Sequence, residues 1–209
     1  MIEDKDEDRI IDAAMSRFMD FGFNKVTMDE IASDTGMSKK TVYKFFPSKE
    51  TLLMSIVHIH LRKVEKAVHE IVASDKPIEE KLVEIFALVG RTVRKLSRPF
   101  MADIQKYIPS LWREIDTFRR ERILSQLLQM FKQAKKEGVF REDVNPDLFY
   151  MIVMTTIQGI MNPQVLSQQS FSAEDAFRGM FKILYEGVLT GEARQKFNLN
   201  NMNFTSQES

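Results

Sequence analysis

Thr27-Met28-Asp29-Glu30-Ile31-Ala32-Ser33-Asp34-Thr35-Gly36-Met37-Ser38-Lys39-Lys40-Thr41-Val42-Tyr43-Lys44-Phe45-Phe46-Pro47-Ser48-Lys49 is the stretch that decides the fold. Thr27 and Glu30 have the spacing of a capping box, which predicts a helix beginning at Met28. Ile31 and Ala32 give that helix its apolar face, and Gly36 ends it as a residue able to leave the helix with positive φ. Ser38 is a good N-cap for a second helix carrying Lys39, Lys40, Thr41, Tyr43 and Lys44 outward, with Val42, Phe45 and Phe46 able to face inward. Two short helices joined by a tight turn, the second one cationic, form the pattern of a helix-turn-helix, whose second helix enters the major groove of DNA.

Local charge points the same way. The 209-residue chain balances 30 basic against 30 acidic residues, and its first fifty residues carry eight bases against eleven acids. From Gly36 to Lys49, however, there are four lysines and no acid, so positive charge is concentrated where a phosphate backbone would lie. Lysine can reach guanine O6 or N7, and threonine can touch a thymine methyl. Thr27 and Ser38 lie at helix N-termini, where backbone N–H groups favour phosphate. The Tyr43 hydroxyl and the Lys49 ammonium are further phosphate contacts in this reading. Which lysine reads a base is left open by the sequence.

The same residues carry a family resemblance. Arg9-Ile10-Ile11-Asp12-Ala13-Ala14, Phe18, Gly22, Phe23, Val26-Thr27-Met28, Ile31-Ala32, Thr35-Gly36-Met37-Ser38, Thr41-Val42-Tyr43, Phe46, Ser48-Lys49-Glu50 and Leu52 together resemble the DNA-binding domain of TetR-family transcriptional regulators. The match spans about a quarter of the chain without a gap. It implies DNA contact from Thr27, Ser38, Lys39, Lys40, Thr41, Tyr43, Lys44 and Lys49. Phe45 stands where many members carry His or Tyr, and a phenyl ring cannot donate a hydrogen bond to phosphate.

Composition bounds the remainder. Hydrophobic residues make up 44% of the chain, enough for a core, while glycine (8) and proline (6) are too scarce for a strand-rich fold. The expectation is an all-α protein. Cysteine is absent, which removes disulfides and thiolate metal sites. No apolar run reaches the ~18 residues of a membrane span, and the acidic start Met1–Asp8 is unlike a targeting peptide. A soluble, cytoplasmic protein is expected, with no membrane partner.

Periodicity and caps predict helices over Lys5–Phe21, from Met28, from Lys39, and over Lys49–Ala73, Pro77–Leu96, Pro99–Ile108, Pro109–Glu137, Pro146–Met161 and from Ser172 to about Leu189. The expected domains are a three-helix head (1–48), a body of about six helices (49–190) and a polar, asparagine-rich tail (191–209) without fixed structure.

One head grips few phosphates, and specific binding uses two heads about 34–36 Å apart or a multiple of that. A homodimer on a palindromic double-stranded operator is implied. Phe177, Phe181, Leu184 and Val188 recur at helical spacing, Met180 widens the stripe, and Gly179 and Gly187 permit close approach, so this face is the candidate interface. The resemblance implies a four-helix contact built from the last two helices of each subunit.

The chain holds 13 Met and 16 Phe, many of them between residues 54 and 161. Methionine suits pockets for varied apolar ligands. By resemblance, the body binds a small apolar or amphipathic effector that reorients the heads and releases a repressor from DNA. Phe86 and Met151 are candidate lining residues, with Tyr107, Trp112 and Gln158 as polar handles.

Two rival readings are weaker. Catalysis lacks a glycine-rich phosphate loop, a cysteine nucleophile and any marked pair of acids, so no catalytic residue and no cofactor is assigned. His58 and His60 point to different faces of one helix. Glu65 and His69 share a face, but two ligands do not make a metal site. The other rival is a binding module of the same fold that has lost DNA binding, for which Phe45 and the acidic N-terminus speak.

Overall fold

The computed structural model describes residues 2–95, 98–166 and 168–196. Its secondary structure is helical: α1 (Ile2–Phe21), α2 (Met28–Thr35), α3 (Lys39–Phe45), α4 (Lys49–Ala73), α5 (Ile78–Lys95), α6 (Arg98–Tyr107), α7 (Pro109–Phe118), α8 (Ser125–Lys136), α9 (Pro146–Met161), α10 (Pro163–Leu166), α11 (Ala173–Val188) and α12 (Gly191–Lys196). No strand occurs among the described residues, where Phe140 and Leu189 form an isolated bridge. The expected all-α class is observed.

Local chemistry sets the helix ends. Ser48 and Thr51 exchange side-chain to backbone hydrogen bonds of 3.1 Å, which start α4. The Asn145 side chain accepts from the N–H groups of Asp147 and Leu148, with Pro146 at the first helical position of α9. Ser172 and Asp175 form a capping box at α11.

Two expectations are corrected. The helix expected to run unbroken from Pro109 to Glu137 contains a π-helical turn, Arg119–Leu124, between α7 and α8. Hydrophobic periodicity does not register one widened turn inside a continuous helix. The tail expected to lack structure begins with α12, where Ala193 is buried; residues 197–209 lie outside the described set.

The chain packs as two compact units. The first comprises residues 1–64 and 96–117. Its core is built from Ile10, Ala14 and Phe18 of α1, Phe23 and Val26 of the following loop, Ile31 of α2, Val42 of α3, Phe46, and Leu52, Leu53 and Ile56 of α4. Because those α4 residues are buried, this unit extends beyond residue 48.

The second unit comprises residues 65–95 and 118–209. Its core is aromatic. Phe86 of α5 lies 3.7 Å from Phe181 and 4.3 Å from Tyr185 of α11, centroid to centroid. Phe149 of α9 lies 5.0 Å from Phe131 of α8 and 5.3 Å from Phe140. Such ring pairs add favourable quadrupole contacts to the area they bury. Burial holds the Tyr185 hydroxyl well above the usual tyrosine range.

Candidate nucleic-acid interface

The first unit presents α2 and α3 as a rigidly terminated pair. The Thr27 hydroxyl accepts the Glu30 N–H at 3.3 Å, while the Glu30 carboxylate accepts the Thr27 N–H at 2.8 Å. Two otherwise orphaned donors at the start of α2 are thus satisfied reciprocally. Gly36 ends α2 at φ +65°, and the N–H groups of Gly36 and Met37 donate to the Ser33 and Ala32 carbonyls. A side chain there would be strained in this left-handed conformation. Ser38 opens α3, its hydroxyl accepting the Thr41 N–H at 3.1 Å. The inter-helix turn is therefore fixed at both ends by the residues that predicted it.

Thr27, Ser38, Lys39, Lys40, Tyr43 and Lys44 are exposed, and Thr41 is half-buried beside the Ser38 hydroxyl at 2.8 Å. Val42 is fully buried on the opposite side of α3. Phe45 is half-buried, with the Lys44 ammonium 5.9 Å from its ring centre. The outward surface of α3 is thus cationic and hydroxyl-bearing.

Lys49 behaves otherwise than expected. Its ammonium donates to the carbonyls of Phe23 at 2.9 Å, Asn24 at 3.3 Å and Val26 at 2.8 Å, and lies 4.4 Å from the Phe23 ring centre. Three carbonyl acceptors use all three ammonium protons, so Lys49 tethers the α1–α2 loop instead of reaching outward. Its position was legible from sequence, but the carbonyl cage lies more than twenty residues upstream.

Charged groups brace the same unit. The Arg17 guanidinium binds Asp34 through two donors and lies 3.3 Å from Glu30. The Arg17 hydrogen bond holds the Asp34 carboxyl below its ordinary range, and hydrogen bonds from Thr27 do the same for Glu30. Arg9 donates to the Thr35 carbonyl at 2.6 Å. Lys39 pairs with Asp29 of α2 at 2.6 Å. None of these braces was anticipated from sequence.

Residues 10–56 match the model of the bacterial regulatory proteins of the TetR family. Residues 10–56 therefore form a TetR-family DNA-binding domain. Its capped α2–α3 pair is the family's DNA-binding helix-turn-helix, and the chain is a TetR-like transcriptional regulator. The HTH-type transcriptional regulator YvaF of Bacillus subtilis is 23% identical over 169 residues, covering 79% of this chain and 87% of that protein. Two solved structures share the fold of this chain along most of their length. A transcriptional regulator from Saccharomonospora viridis in complex with choline aligns with a TM-score of 0.71 at 21% identity, covering 90% of this chain and 99% of that one. SmeT in complex with triclosan aligns at 0.70 and 15% identity, covering 98% and 100%.

The residues expected in the body are distributed differently. Tyr107 and Trp112 belong to the first unit, and Phe86, Met151 and Gln158 to the second. Phe86 is buried in the aromatic core, whereas Tyr107 is 45% and Met151 56% exposed, and Gln158 is also exposed. Met151 lies on the outer face of α9, whose inner face carries Phe149 and Val153.

The stripe expected at a dimer contact is directed inward. Phe177, Met180 and Phe181 are buried within the protomer, and Leu184 and Val188 are half-buried. The reason is that α11 uses this face against α5 and α9. Opposite it, Ile183 is 73% exposed. Among the described residues no group of three or more His, Cys, Asp or Glu is arranged to hold a metal ion, and no helix is long and apolar enough to cross a membrane.

Proposed function

We propose that this regulator is a homodimeric repressor that binds a palindromic operator through α3 and is released by a small apolar or amphipathic effector. The single observation that carries the DNA reading is the outward face of α3, where Lys39, Lys40, Tyr43 and Lys44 are exposed on a helix whose start and preceding turn are fixed by caps. Lys39, Lys40 and Thr41 occupy the N-terminal turn that reads base edges in such motifs, and Tyr43 and Lys44 serve phosphate. Thr27 and Ser38 contribute phosphate contacts from the backbone N–H groups they precede.

The dimer contact is reassigned to the outer faces of α9 and α11. Leu148, Met151 and Ile152 of α9 and Ile183 of α11 are large, apolar and exposed in the protomer. Repeated on a second subunit, they make a self-complementary twofold contact. Gly179 and Gly187 on the exposed side of α11 have open space around them, which lets another backbone approach closely.

An effector in the helical body accords with the small molecules bound by the two similar structures, choline in one and triclosan in SmeT. The function is regulatory rather than catalytic, and its compartment is the cytoplasm, where the operator is.

The test is binding of the purified protein to its own upstream DNA against an unrelated fragment of equal length, at several salt concentrations. Preference for the upstream fragment with a steep salt slope is the expected result. Replacing Lys39, Lys40 and Lys44 by alanine abolishes that preference while leaving the fold and oligomeric state intact. Loss of the fold in the triple variant, or unchanged binding, would overturn the assignment of α3.

A further inference from the structure

Asp29 is the second residue of α2 and Lys39 the first of α3, and their side chains meet at 2.6 Å. Both are largely exposed, 56% for Asp29 and 65% for Lys39. A solvated pair of this kind contributes little to folding. The other two acids of α2, Glu30 and Asp34, are engaged by Thr27 and Arg17 inside the head. Asp29 instead pairs with a lysine on the helix that faces DNA.

We propose that Asp29 is a specificity-determining residue, which suppresses binding to unrelated DNA by keeping Lys39 from phosphate. The proposal rests on α3 being the DNA-reading helix. An ammonium has three donors, so Lys39 can hold the Asp29 carboxylate and a neutral base acceptor such as guanine O6 or N7 together. A phosphate arriving at Lys39 instead brings a second anion within a few ångströms of the first. The carboxylate must then be displaced or suffer like-charge repulsion. Base readout by Lys39 is therefore compatible with the ion pair, and phosphate binding is opposed by it. Because non-specific affinity is almost wholly phosphate-based, the penalty falls mainly on unrelated sequence.

The experiment compares the full-length chain with Asp29→Asn, Lys39→Ala and the double variant, by fluorescence anisotropy on an unrelated mixed-sequence duplex across a salt series. Asp29→Asn is expected to bind it about eightfold tighter per engaged head at ~0.1 M salt, with a log–log salt slope steeper by about one per head, the signature of one added phosphate contact. Lys39→Ala should abolish the gain when combined with Asp29→Asn. Asp29→Ser repeats the test if the amide disturbs α2, as judged by thermal melting. The proposal is overturned if the folded Asp29 variants bind no tighter than the parent, or if their gain survives Lys39→Ala. A parent that binds no duplex even at low salt would overturn the DNA-binding assignment of α3 beneath it, a distinct result.

Discussion

The Asp103 carboxylate on α6 accepts the backbone N–H of Asn24 at 2.7 Å, across 79 positions of sequence. The same oxygen would lie 2.7 Å from a β-carbon at Gly22, whose φ is +84°. The loop that leads into the Thr27 cap is thus held by Asp103 on its N–H side and by Lys49 on its carbonyl side. Asp103→Ala should lower stability by about 1 kcal/mol and raise amide exchange over residues 22–27. Gly22→Ala meets both the clash and the left-handed backbone, a cost on the order of 1–3 kcal/mol for the conformation alone. In the double variant the clash is gone and the conformational cost stays. Thermal melts of the four proteins should therefore be non-additive, and strict additivity would remove Asp103 as the reason for the glycine.

Lys49 separates tethering from phosphate binding. Lys49→Met keeps the stem and removes three charge-assisted hydrogen bonds, so it should cost roughly 2 kcal/mol, a fall of about 4–8 °C in Tm for a chain of this size. Lys40→Ala, on the exposed face, should leave Tm within about 1 °C while weakening DNA binding. If Lys49→Met melts like the parent yet binds DNA poorly, Lys49 acts on phosphate directly and its carbonyl cage is incidental.

The difference between these two lysines explains how much of the site could be read from sequence. Thr27 with Glu30, Gly36, Ser38, and Ser172 with Asp175 act over three or four residues, so their spacing carried the geometry into the sequence. Lys49 and Asp103 act on a loop distant in sequence, and no local pattern names their partners. Periodicity likewise announced an apolar stripe on α11 without saying what it packs against. A usable signal did exist in α9, where Leu148, Met151 and Ile152 lie off the inner face of Phe149, Val153 and Ile157. A helix apolar on both faces asks for a second partner.

Acid should unfold the first unit through its α2 braces. The Glu30 carboxyl is held below its ordinary range by hydrogen bonds from Thr27, and that of Asp34 by the hydrogen bond from Arg17. A carboxyl with a lowered folded pKa stabilises the fold above its unfolded value and loses that contribution as pH falls through the folded one. Tm should therefore be flat near neutrality and decline once pH drops below about 4, the ordinary carboxylate range. Glu30→Gln preserves an acceptor at the capping position but cannot titrate. Its melting temperature should decline less steeply with acid than that of the parent. An identical acid limb in the two proteins would place the titration elsewhere.

The reassigned subunit contact makes opposite predictions for neighbouring residues of one helix. Ile183 is 73% exposed on α11, whereas Phe181, two positions earlier, is 2% exposed against Phe86. Ile183→Glu should fold normally as a protomer, since nothing in the protomer buries that side chain. In a twofold contact, however, the substitution appears twice and buries unpaired charge, which should raise the dimer dissociation constant by about two orders of magnitude or more. Met151→Glu on α9 should behave alike. Phe181→Ala instead removes a ring from the protomer core, at a cost of about 3–5 kcal/mol, and should lower Tm at concentrations where the parent is already dissociated. Sedimentation velocity over a dilution series, paired with thermal melts, separates the two effects. If Ile183→Glu and Met151→Glu dimerise as tightly as the parent, the outer faces of α9 and α11 are not the subunit contact.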